Sequence, residues 1–345
     1  MRSPIKLAVV GAGLIGFRHI EAIKRVDEAI LAAVVEPNPI QGIAAPVFAS
    51  LNEMFDAIDV DGVILSTPTP MHVCGGLDCV NRGVPVLIEK PLGTNVDEAR
   101  GLIKAAKRAN VPVLVGHHRR YNPLIQAASE IINAGKLGDL RAAHVTCWFY
   151  KPDDYFEIAP WRKQKGAGPI SVNLVHDIDI LRSFLGNVVS VQAQMAPARR
   201  GYDNEDLAAA VLKFEQGTLC TISVSDSIVS PWSWELTASE NPIYPSTGES
   251  AIWIGGSKGA LSIPDMRLWQ HDGEQSWWNP ISATVSARPS SDPLINQINH
   301  FMSVIRQEAA PLISGEDGLQ TLRVIEAIQR AAETEETVRL DLEVT

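Results

Sequence analysis

The sequence predicts an α/β chain in which a parallel sheet covered by helices is followed by an open, mainly antiparallel sheet with helices of its own. In the first third, short apolar runs alternate with helical stretches, as in a parallel sheet buried on both faces. After Tyr121, segments rich in Thr, Val, Trp and Tyr indicate the strands of a second sheet. With 345 residues, the chain is long enough for two domains. We predict a first domain over residues 1–122 and a second over 123–345, with the last helix free to pack back on the first domain.

The elements of the first domain follow from hydrophobic spacing. Continuous apolar runs predict strands at Lys6–Val10, Leu31–Val35, Val60–Ser66, Val84–Glu89 and Val111–Val115. Helical spacing predicts helices at Ile15–Val26, Leu51–Ala57, Met71–Arg82 and Asn95–Ala109.

The second domain is predicted to mix strands with four helices. Strands are expected at Arg141–Tyr150, Val188–Ala196, Asp206–Phe214, Leu219–Ser225 and Ser250–Ile254. Helices are expected near Leu124–Ala134 and Ser171–Phe184, then at Pro293–Arg306 and Gly315–Glu333. Turn-rich sequence between Ser230 and Gly248 predicts a long loop, suited to a lid or a subunit contact.

Composition narrows the function classes. Hydrophobic residues make up 46% and charged residues 20%, which is typical of a globular protein. A formal net charge of −10 disfavours binding to a nucleic acid backbone. The four cysteines are too sparse to form a disulfide framework, and no metal-ligand spacing is present, so free thiols and no metal are expected. Glycines interrupt the apolar run Leu7–Phe17, which therefore predicts a strand and turn rather than a signal peptide or membrane span, and we expect a cytoplasmic protein.

A glycine-rich turn, Gly11-Ala-Gly-Leu-Ile-Gly16, follows the first strand and opens the first helix. In this context Gly11 permits the tight turn, Gly13 lets a pyrophosphate approach the backbone, and Gly16 allows close helix–strand packing. We assign Gly11, Gly13, Leu14 and Ile15 to cofactor binding, because the N-terminus of a helix holds phosphate. The alternative is a glycine-rich turn without a ligand.

Glu36 follows the second strand, where an acidic residue can bind both hydroxyls of a ribose. The same carboxylate would repel a 2′-phosphate. The sequence therefore favours NAD over NADP as the cofactor.

Two further positions suggest proton transfer. Lys90 lies in Glu89-Lys90-Pro91 at the end of a predicted parallel strand, the edge at which α/β sheets bind ligands. His176 lies three residues after Asn173, so that a helix would place both on one face. The alternatives are a solvated surface lysine and a hydrogen-bonded core histidine.

Several ordered motifs together resemble the family of glucose–fructose oxidoreductase, inositol dehydrogenase and the rhizopine-catabolism protein (Gfo/Idh/MocA). The motifs are the glycine turn, Ser66-Thr-Pro-Thr-Pro-Met-His72, Glu89-Lys-Pro91, Gly116-His-His-Arg-Arg-Tyr-Asn-Pro123, Trp161-Arg162 with Gly166–Asp179, and Ser314-Gly-Glu-Asp-Gly318. The resemblance implies a Rossmann domain followed by an α+β domain whose open sheet often forms a dimer or tetramer interface. It also implies that Lys90 is the proton-handling lysine, that the Lys90–Pro91 peptide is cis, and that His176 is a second acid/base group. By the same resemblance, the cofactor would be lined by Thr67, Pro68, His72, Glu89 and Lys90, with Trp161 and Arg162 approaching its nicotinamide half.

One departure from the family bears on the substrate. Inositol dehydrogenase-like members carry Asp four residues before the histidine, where this chain has Val172. A valine cannot hydrogen-bond a hydroxyl, so inositol is not the expected substrate, and Asn173 is the candidate replacement. Further candidates for the substrate pocket are His118, Tyr121 and Asn122, whereas His117 and Arg119 are assigned to packing or the surface.

The sequence thus predicts an NAD-dependent oxidoreductase acting on a secondary alcohol of a sugar, polyol or related cyclic hydroxy compound. A non-catalytic dinucleotide-binding regulator is the competing class, and Lys90 with His176 favours the enzyme. Within enzymes, dihydrodiol or oxo-acid substrates and transient oxidation during glycoside cleavage stay open.

Overall fold

The computed structural model describes residues 3–341. Their strands are β1 Ile5–Val10, β2 Ala29–Val35, β3 Val47–Phe48, β4 Gly62–Leu65, β5 Val86–Ile88, β6 Val113–Val115, β7 Leu140–Trp148, β8 Val188–Met195, β9 Leu207–Phe214, β10 Leu219–Ser225, β11 Ile252–Gly256, β12 Ala260–Ile263, β13 Arg267–His271, β14 Ile281–Val285 and β15 Val338–Arg339. Their α-helices are α1 Leu14–Lys24, α2 Leu51–Ala57, α3 His72–Asn81, α4 Val96–Ala109, α5 Pro123–Asn133, α6 Asp153–Ile158, α7 Val175–Leu185, α8 Trp234–Thr237, α9 Pro293–Ile305 and α10 Gly315–Thr334.

These elements form two compact units. The first contains the described residues up to Tyr121 together with Ser291–Leu322, and the second contains Asn122–Ser290 and the described residues from Arg323 onward. The predicted division at residue 122/123 therefore assigns 291–322 to the second domain, whereas their contacts group them with the first. The reason is the apolar face of α9, which packs against α1 and β1 in one core cluster. Helical spacing reveals that such a face is buried but not what covers it.

The first unit is built on a six-stranded sheet in the order β3-β2-β1-β4-β5-β6. All of its strand pairs are parallel, which confirms the predicted parallel sheet. Side-chain caps fix where its helices begin: Ser50 accepts a hydrogen bond from the N–H of Glu53 at α2, and Asn95 accepts one from Glu98 at α4. Asn110 ends α4 in the left-handed region, with φ of 53°.

The second unit is built on a nine-stranded sheet in the order β14-β13-β12-β11-β7-β10-β9-β8-β15. Only the pair β7–β10 is parallel among the described strands of this sheet, which confirms the mainly antiparallel prediction. Alternate residues of β9 are buried, so one face of the sheet meets the apolar core and the other carries exposed side chains. The core of this unit also includes apolar residues of α7 and of α10 beyond Arg323.

Some elements differ from the sequence prediction. The helix expected at Ser171–Phe184 consists of a π-helical turn, Ile170–Leu174, followed by α7. Strands β12, β13 and β14 and helix α6 were not expected. The cysteines are free, as expected, but Cys74 is exposed, whereas the other three are buried. Over residues 3–341, we find no helix whose length and apolarity would let it cross a membrane.

Candidate functional site

The strands of the first unit end in register at the carboxyl edge of the sheet. Cα pairing aligns Val35 with Val10, Val10 with Leu65, Leu65 with Ile88, and Ile88 with Val115. The residues that follow these five positions are Glu36, Gly11, Ser66, Glu89 and Gly116. Sequence motifs that are far apart in the chain therefore meet at one edge, where parallel α/β sheets bind their ligands.

The three glycines of the turn differ in what surrounds them. Gly11 has φ of +87°, and a Cβ there would lie 2.8 Å from the carbonyl oxygen of Ser66. At Gly16, a Cβ would collide with the carbonyl oxygen of Gly11. At Gly13, by contrast, a Cβ would meet nothing within 4 Å, so the packing of the chain does not explain a glycine there. Open space at Gly13 fits the close approach of a dinucleotide pyrophosphate.

The start of α1 adds a second observation that fits a phosphate. The helix has no side-chain cap and no acidic residue in its first turn, so no side chain of its own first turn competes for its leading N–H groups. Leu14 is 84% exposed and Ile15 half-buried at this end of the helix. Both positions are compatible with their predicted contact with the cofactor.

Glu36 is held beside the glycine turn. Its Oε2 accepts a hydrogen bond from the N–H of Ala12 at 3.0 Å, and its Oε1 accepts from the backbone and side chain of Asn38. Burial raises the pKa of Glu36, but these hydrogen bonds outweigh it and keep the pKa below its ordinary value. The residue is therefore a fixed carboxylate at neutral pH, as the ribose-binding role requires.

Replacing Glu36 with serine should weaken NAD binding by about 10- to 150-fold, since a hydrogen bond to a charged group contributes about 1.5–3 kcal/mol. The same change should strengthen NADP binding, because it removes the charge that repels a 2′-phosphate. Isothermal titration with both dinucleotides measures the two effects, and Asp59→Asn, on the surface of the same unit, is the matched control. A wild-type protein that binds NADP more tightly than NAD would contradict this role of Glu36.

The loop after β4 is tied to both neighbouring strand ends. The hydroxyl of Ser66 donates to the carbonyls of Val10 and Gly11, at 3.0 and 2.8 Å. Thr67 Oγ1 is buried and makes no hydrogen bond to the described residues, so it retains bonding capacity for a ligand. Pro68 is exposed beside it.

His72, which is predicted to line the cofactor, links two parts of the main chain. The side chain is buried, with Nε2 lying 2.8 Å from the carbonyl oxygen of Thr67 and Nδ1 lying 2.8 Å from that of Pro91. Both ring nitrogens face the main chain of the protein. The structure therefore indicates that His72 joins the loop after β4 to the Lys90–Pro91 corner.

Glu89 and Lys90, which are neighbours in the Glu-Lys-Pro corner, differ in burial. Lys90 is half-buried, and the Lys90–Pro91 peptide is cis, as the family resemblance implied. Glu89 is 5% exposed, and its carboxylate accepts hydrogen bonds from His19 Nε2 at 2.8 Å and from the N–H of Lys90 at 3.2 Å. The carboxylate of Glu89 thus faces the interior of the unit, and its predicted contact with the cofactor stays a prediction.

The residues in and after the turn that follows β6 include the predicted pocket candidates, and they differ in burial. His118 is half-buried, whereas His117 and Arg119 are buried, in agreement with a packing role for the latter two. Tyr121 is 2% exposed and belongs to an apolar core, and its place in the substrate pocket stays a prediction. Asn122 caps α5 by accepting from the N–H of Leu124, and its Nδ2 donates to a glutamate at 2.8 Å, so it too has a local structural role.

In the second unit, Trp161 and Arg162 lie on a 3₁₀ turn, Pro160–Lys163. Trp161 is 54% exposed. The guanidinium of Arg162 stacks 4.0 Å above the ring of Tyr155 and donates to its carbonyl oxygen at 2.7 Å. Arg162 is therefore held by its own unit, and its approach to the nicotinamide stays a prediction.

His176 and Asn173 are both buried, with His176 in the first turn of α7 and Asn173 in the preceding π-helical turn. The wider π turn replaces the regular three-residue spacing that the sequence suggested, and such turns are frequent at functional sites. Asn173 Nδ2 donates to Glu235 Oε1 at 3.2 Å, while its Oδ1 is buried without a hydrogen bond to a described residue. That oxygen could accept from a substrate hydroxyl. Val172 is half-buried in the same turn.

A buried charge cluster in the second unit was missed from the sequence. Asp226 is 1% exposed, and its Oδ1 lies 2.6 Å from Arg200 Nη1 while its Oδ2 lies 3.4 Å from Lys151 Nζ. Burial lowers the pKa of Lys151, and Asp226 opposes that effect. The three residues are far apart in the chain, so no local sequence pattern predicts that they form a cluster.

His19 was also missed, although a signal existed. It lies on the buried face of α1 with Gly16, Ile20 and Ile23. A polar residue within an apolar helical stripe requires a buried partner, which here is Glu89.

Comparison with known proteins agrees with this architecture. The model described as an oxidoreductase family with an NAD-binding Rossmann fold matches residues 5–117, and that of the GFO/IDH/MocA C-terminal domain matches residues 125–262. The chain is 25% identical to D-apiose dehydrogenase of Paraburkholderia graminis over 358 aligned residues, covering 97% of this chain and 89% of that protein. It is 25% identical to inositol 2-dehydrogenase of Rhizobium meliloti, covering 95% and 96% respectively. Among solved structures, the WlbA dehydrogenase of Bordetella pertussis in complex with NADH and UDP-GlcNAcA is 25% identical with a TM-score of 0.80, covering 99% of this chain and 100% of that one. The chain belongs to the GFO/IDH/MocA family of oxidoreductases, and its first domain is the NAD-binding Rossmann domain of that family.

Proposed function

We propose that this chain catalyses reversible oxidation of a secondary alcohol of a sugar, polyol or related cyclic hydroxy compound. NAD, when bound, supplies the hydride acceptor that no side chain can provide. Lys90 removes the hydroxyl proton as the carbonyl forms and returns it in the reverse direction. His176 is the second acid/base group, and Asn173 binds a substrate hydroxyl.

The placement of Lys90 carries the proposal. It follows β5 at the same sheet edge as the glycine turn and Glu36, so that a lysine and a dinucleotide-binding motif share one side of the sheet. A purely regulatory dinucleotide-binding domain has no need for a proton-transferring group at that edge. Lys90 is half-buried, unlike a lysine enclosed in the core.

The relatives support the substrate class. D-apiose dehydrogenase and inositol 2-dehydrogenase are both named for polyhydroxy compounds, and each aligns with nearly all of this chain. Val172 directs the proposal away from inositol itself, because an apolar side chain stands where inositol dehydrogenase-like members have Asp. A cytoplasmic location, suggested by the four free cysteines, belongs to the same proposal.

A panel of sugars, polyols, dihydrodiols and oxo acids, incubated with NAD or NADH and followed by nicotinamide absorbance, tests the proposed function. Accumulation of NADH with a sugar or polyol supports net alcohol oxidation. Glycoside cleavage without accumulated NADH would instead identify a transient redox cycle. Tight NAD binding with no turnover on any compound would identify a regulatory protein and contradict the proposal.

We also propose that the exposed face of the nine-stranded sheet forms a homo-oligomer interface, as a dimer or tetramer. Side chains of its central strands enclose a shallow depression of about 380 Å³. The depression includes Trp253 and Trp269, each more than one third exposed, and Trp253 lies 5.5 Å from the ring of His144. Aromatic residues clustered on an exposed sheet face are typical of protein–protein interfaces.

Replacing Trp253 with glutamate should convert the oligomer to monomers, because it places a charge in the centre of an apolar interface. Sedimentation velocity at micromolar protein concentration measures the change. Ile30→Glu, at an exposed apolar residue of β2, is the matched control and should leave the mass unchanged. A monomeric wild-type protein would contradict the proposed interface, as would an unchanged oligomer in the Trp253 variant.

A further inference from the structure

His19 and Glu89 form a buried pair next to Lys90. His19 is fully buried in α1, and its Nε2 lies 2.8 Å from Glu89 Oε1. The other oxygen, Oε2, accepts from the N–H of Lys90 at 3.2 Å. Because both oxygens accept hydrogen bonds, the carboxylate is suited to the ionised form.

Gly116 holds this carboxylate from the neighbouring strand end. A Cβ at Gly116 would lie 3.0 Å from the Cα, the Cδ and the Oε1 of Glu89, closer than ordinary packing allows. The backbone of the next strand can approach Glu89 this closely because residue 116 is a glycine. The side chain is therefore fixed on three sides, by a helix, by its own backbone and by a neighbouring strand.

The charged neighbours of Glu89 are mostly cations or histidines. His19 faces it from α1, Lys90 from its own strand end, and His118 from the turn after β6, where His117 lies near both Lys90 and Arg120. Burial raises the pKa of Glu89, but the hydrogen bond from His19 and these neighbouring charges outweigh it and hold the pKa at about 2. The Glu89 carboxylate is therefore ionised at neutral pH.

We propose that His19 is a positioning residue for Lys90: it holds the Glu89 carboxylate ionised and fixed, and that carboxylate anchors the backbone of Lys90 and stabilises its ammonium. The inference rests on the proposed function only in that Lys90 transfers the substrate proton. The pair does not touch the substrate. The pair orients the Lys90 side chain through its backbone and sets the pH at which the Lys90 amine loses its proton.

The test compares His19→Phe, which removes the donor, with His19→Gln, whose side-chain N–H can replace Nε2–H. Competitive acetylation, read by mass spectrometry on the peptide carrying Lys90, gives the pH midpoint at which this amine becomes reactive without requiring a substrate. In His19→Phe, Glu89 loses the hydrogen bond that fixes its carboxylate, so that the negative charge is no longer held beside Lys90. The Lys90 midpoint should then fall by about one pH unit, as expected when an adjacent opposite charge is lost.

The conservative and control variants separate this effect from a general loss of structure. His19→Gln should keep a midpoint close to that of the wild type, as should Glu21→Gln, on the exposed face of the same helix. Glu89→Gln should lower the midpoint as His19→Phe does, and it tests the proposal even if His19→Phe fails to fold. Gly116→Ala should do the same by displacing the carboxylate.

An unchanged Lys90 midpoint in folded Glu89→Gln or His19→Phe would overturn the positioning role. A lowered midpoint in both, with NAD binding close to that of the wild type, supports it. The proposed function is tested separately by turnover of Lys90→Met. If that variant stays active, Lys90 is not the proton-transferring group, whatever the acetylation midpoints show.

Discussion

Replacing Lys90 with methionine should lower turnover by about a thousandfold, in line with the contribution of general acid–base groups to catalysis. Methionine has a similar length but can neither accept nor donate the proton of an alcohol. NAD binding should stay near the wild-type value, because the glycine turn and Glu36 are separate from this side chain. Steady-state kinetics on the best substrate of the panel and isothermal titration with NAD measure the two quantities.

A matched control for this change is Lys104→Met, which alters an exposed lysine of α4 in the same unit. It should keep wild-type kinetics. Wild-type turnover in Lys90→Met would show that another group transfers the proton. A parallel loss of NAD binding would show that Lys90 serves the cofactor rather than the reaction.

Replacing Asp226 with asparagine should lower the free energy of unfolding by about 3–5 kcal/mol, because breaking a buried ion pair leaves uncompensated charge. Arg200 and Lys151 both depend on this carboxylate, and all three side chains are largely buried. Urea denaturation followed by circular dichroism measures the loss. Glu333→Gln, which breaks an exposed ion pair with Lys165, should have little effect.

The loss of unfolding free energy in Asp226→Asn, the stability deficit of this variant, should also depend on pH. Burial lowers the pKa of Lys151 and Asp226 opposes this, so loss of the carboxylate lowers that pKa further. Between the lowered pKa and the ordinary lysine value, the unfolded chain then binds more protons than the folded one. Stability rises with pH under that condition, so the deficit of the variant should shrink as the pH is raised. A deficit that grows with pH would contradict this account of the cluster.

The parallel sheet and the glycine turn could be predicted because their determinants are local. Strands buried on both faces are continuous apolar runs, and the predicted ends of β1 and β6 differ little from those observed. Gly11 and Gly16 are explained by contacts close to the turn itself. Strands β12–β14 lacked such a signal, because they are short and partly polar, and β13 and β14 are half-buried or exposed along their length.

Roles that depend on distant partners were harder to predict. Glu89 belongs to a motif that suggested the cofactor, yet its partner His19 lies 70 residues earlier in the chain and turns the carboxylate inward. His72 faces two carbonyl groups that its own sequence context does not identify. Tyr121 belongs to the motif Gly116–Pro123, which suggested a pocket wall, and its sequence context does not show that it shares an apolar core with residues of α10.

The most direct test of the central claim is nicotinamide reduction by the wild-type protein and by Lys90→Met across the same panel of sugars and polyols. We expect the wild type to form NADH with at least one non-inositol compound, and Lys90→Met to bind NAD but to form almost none. Equal NADH formation by the two proteins, or none by either despite NAD binding, would contradict it.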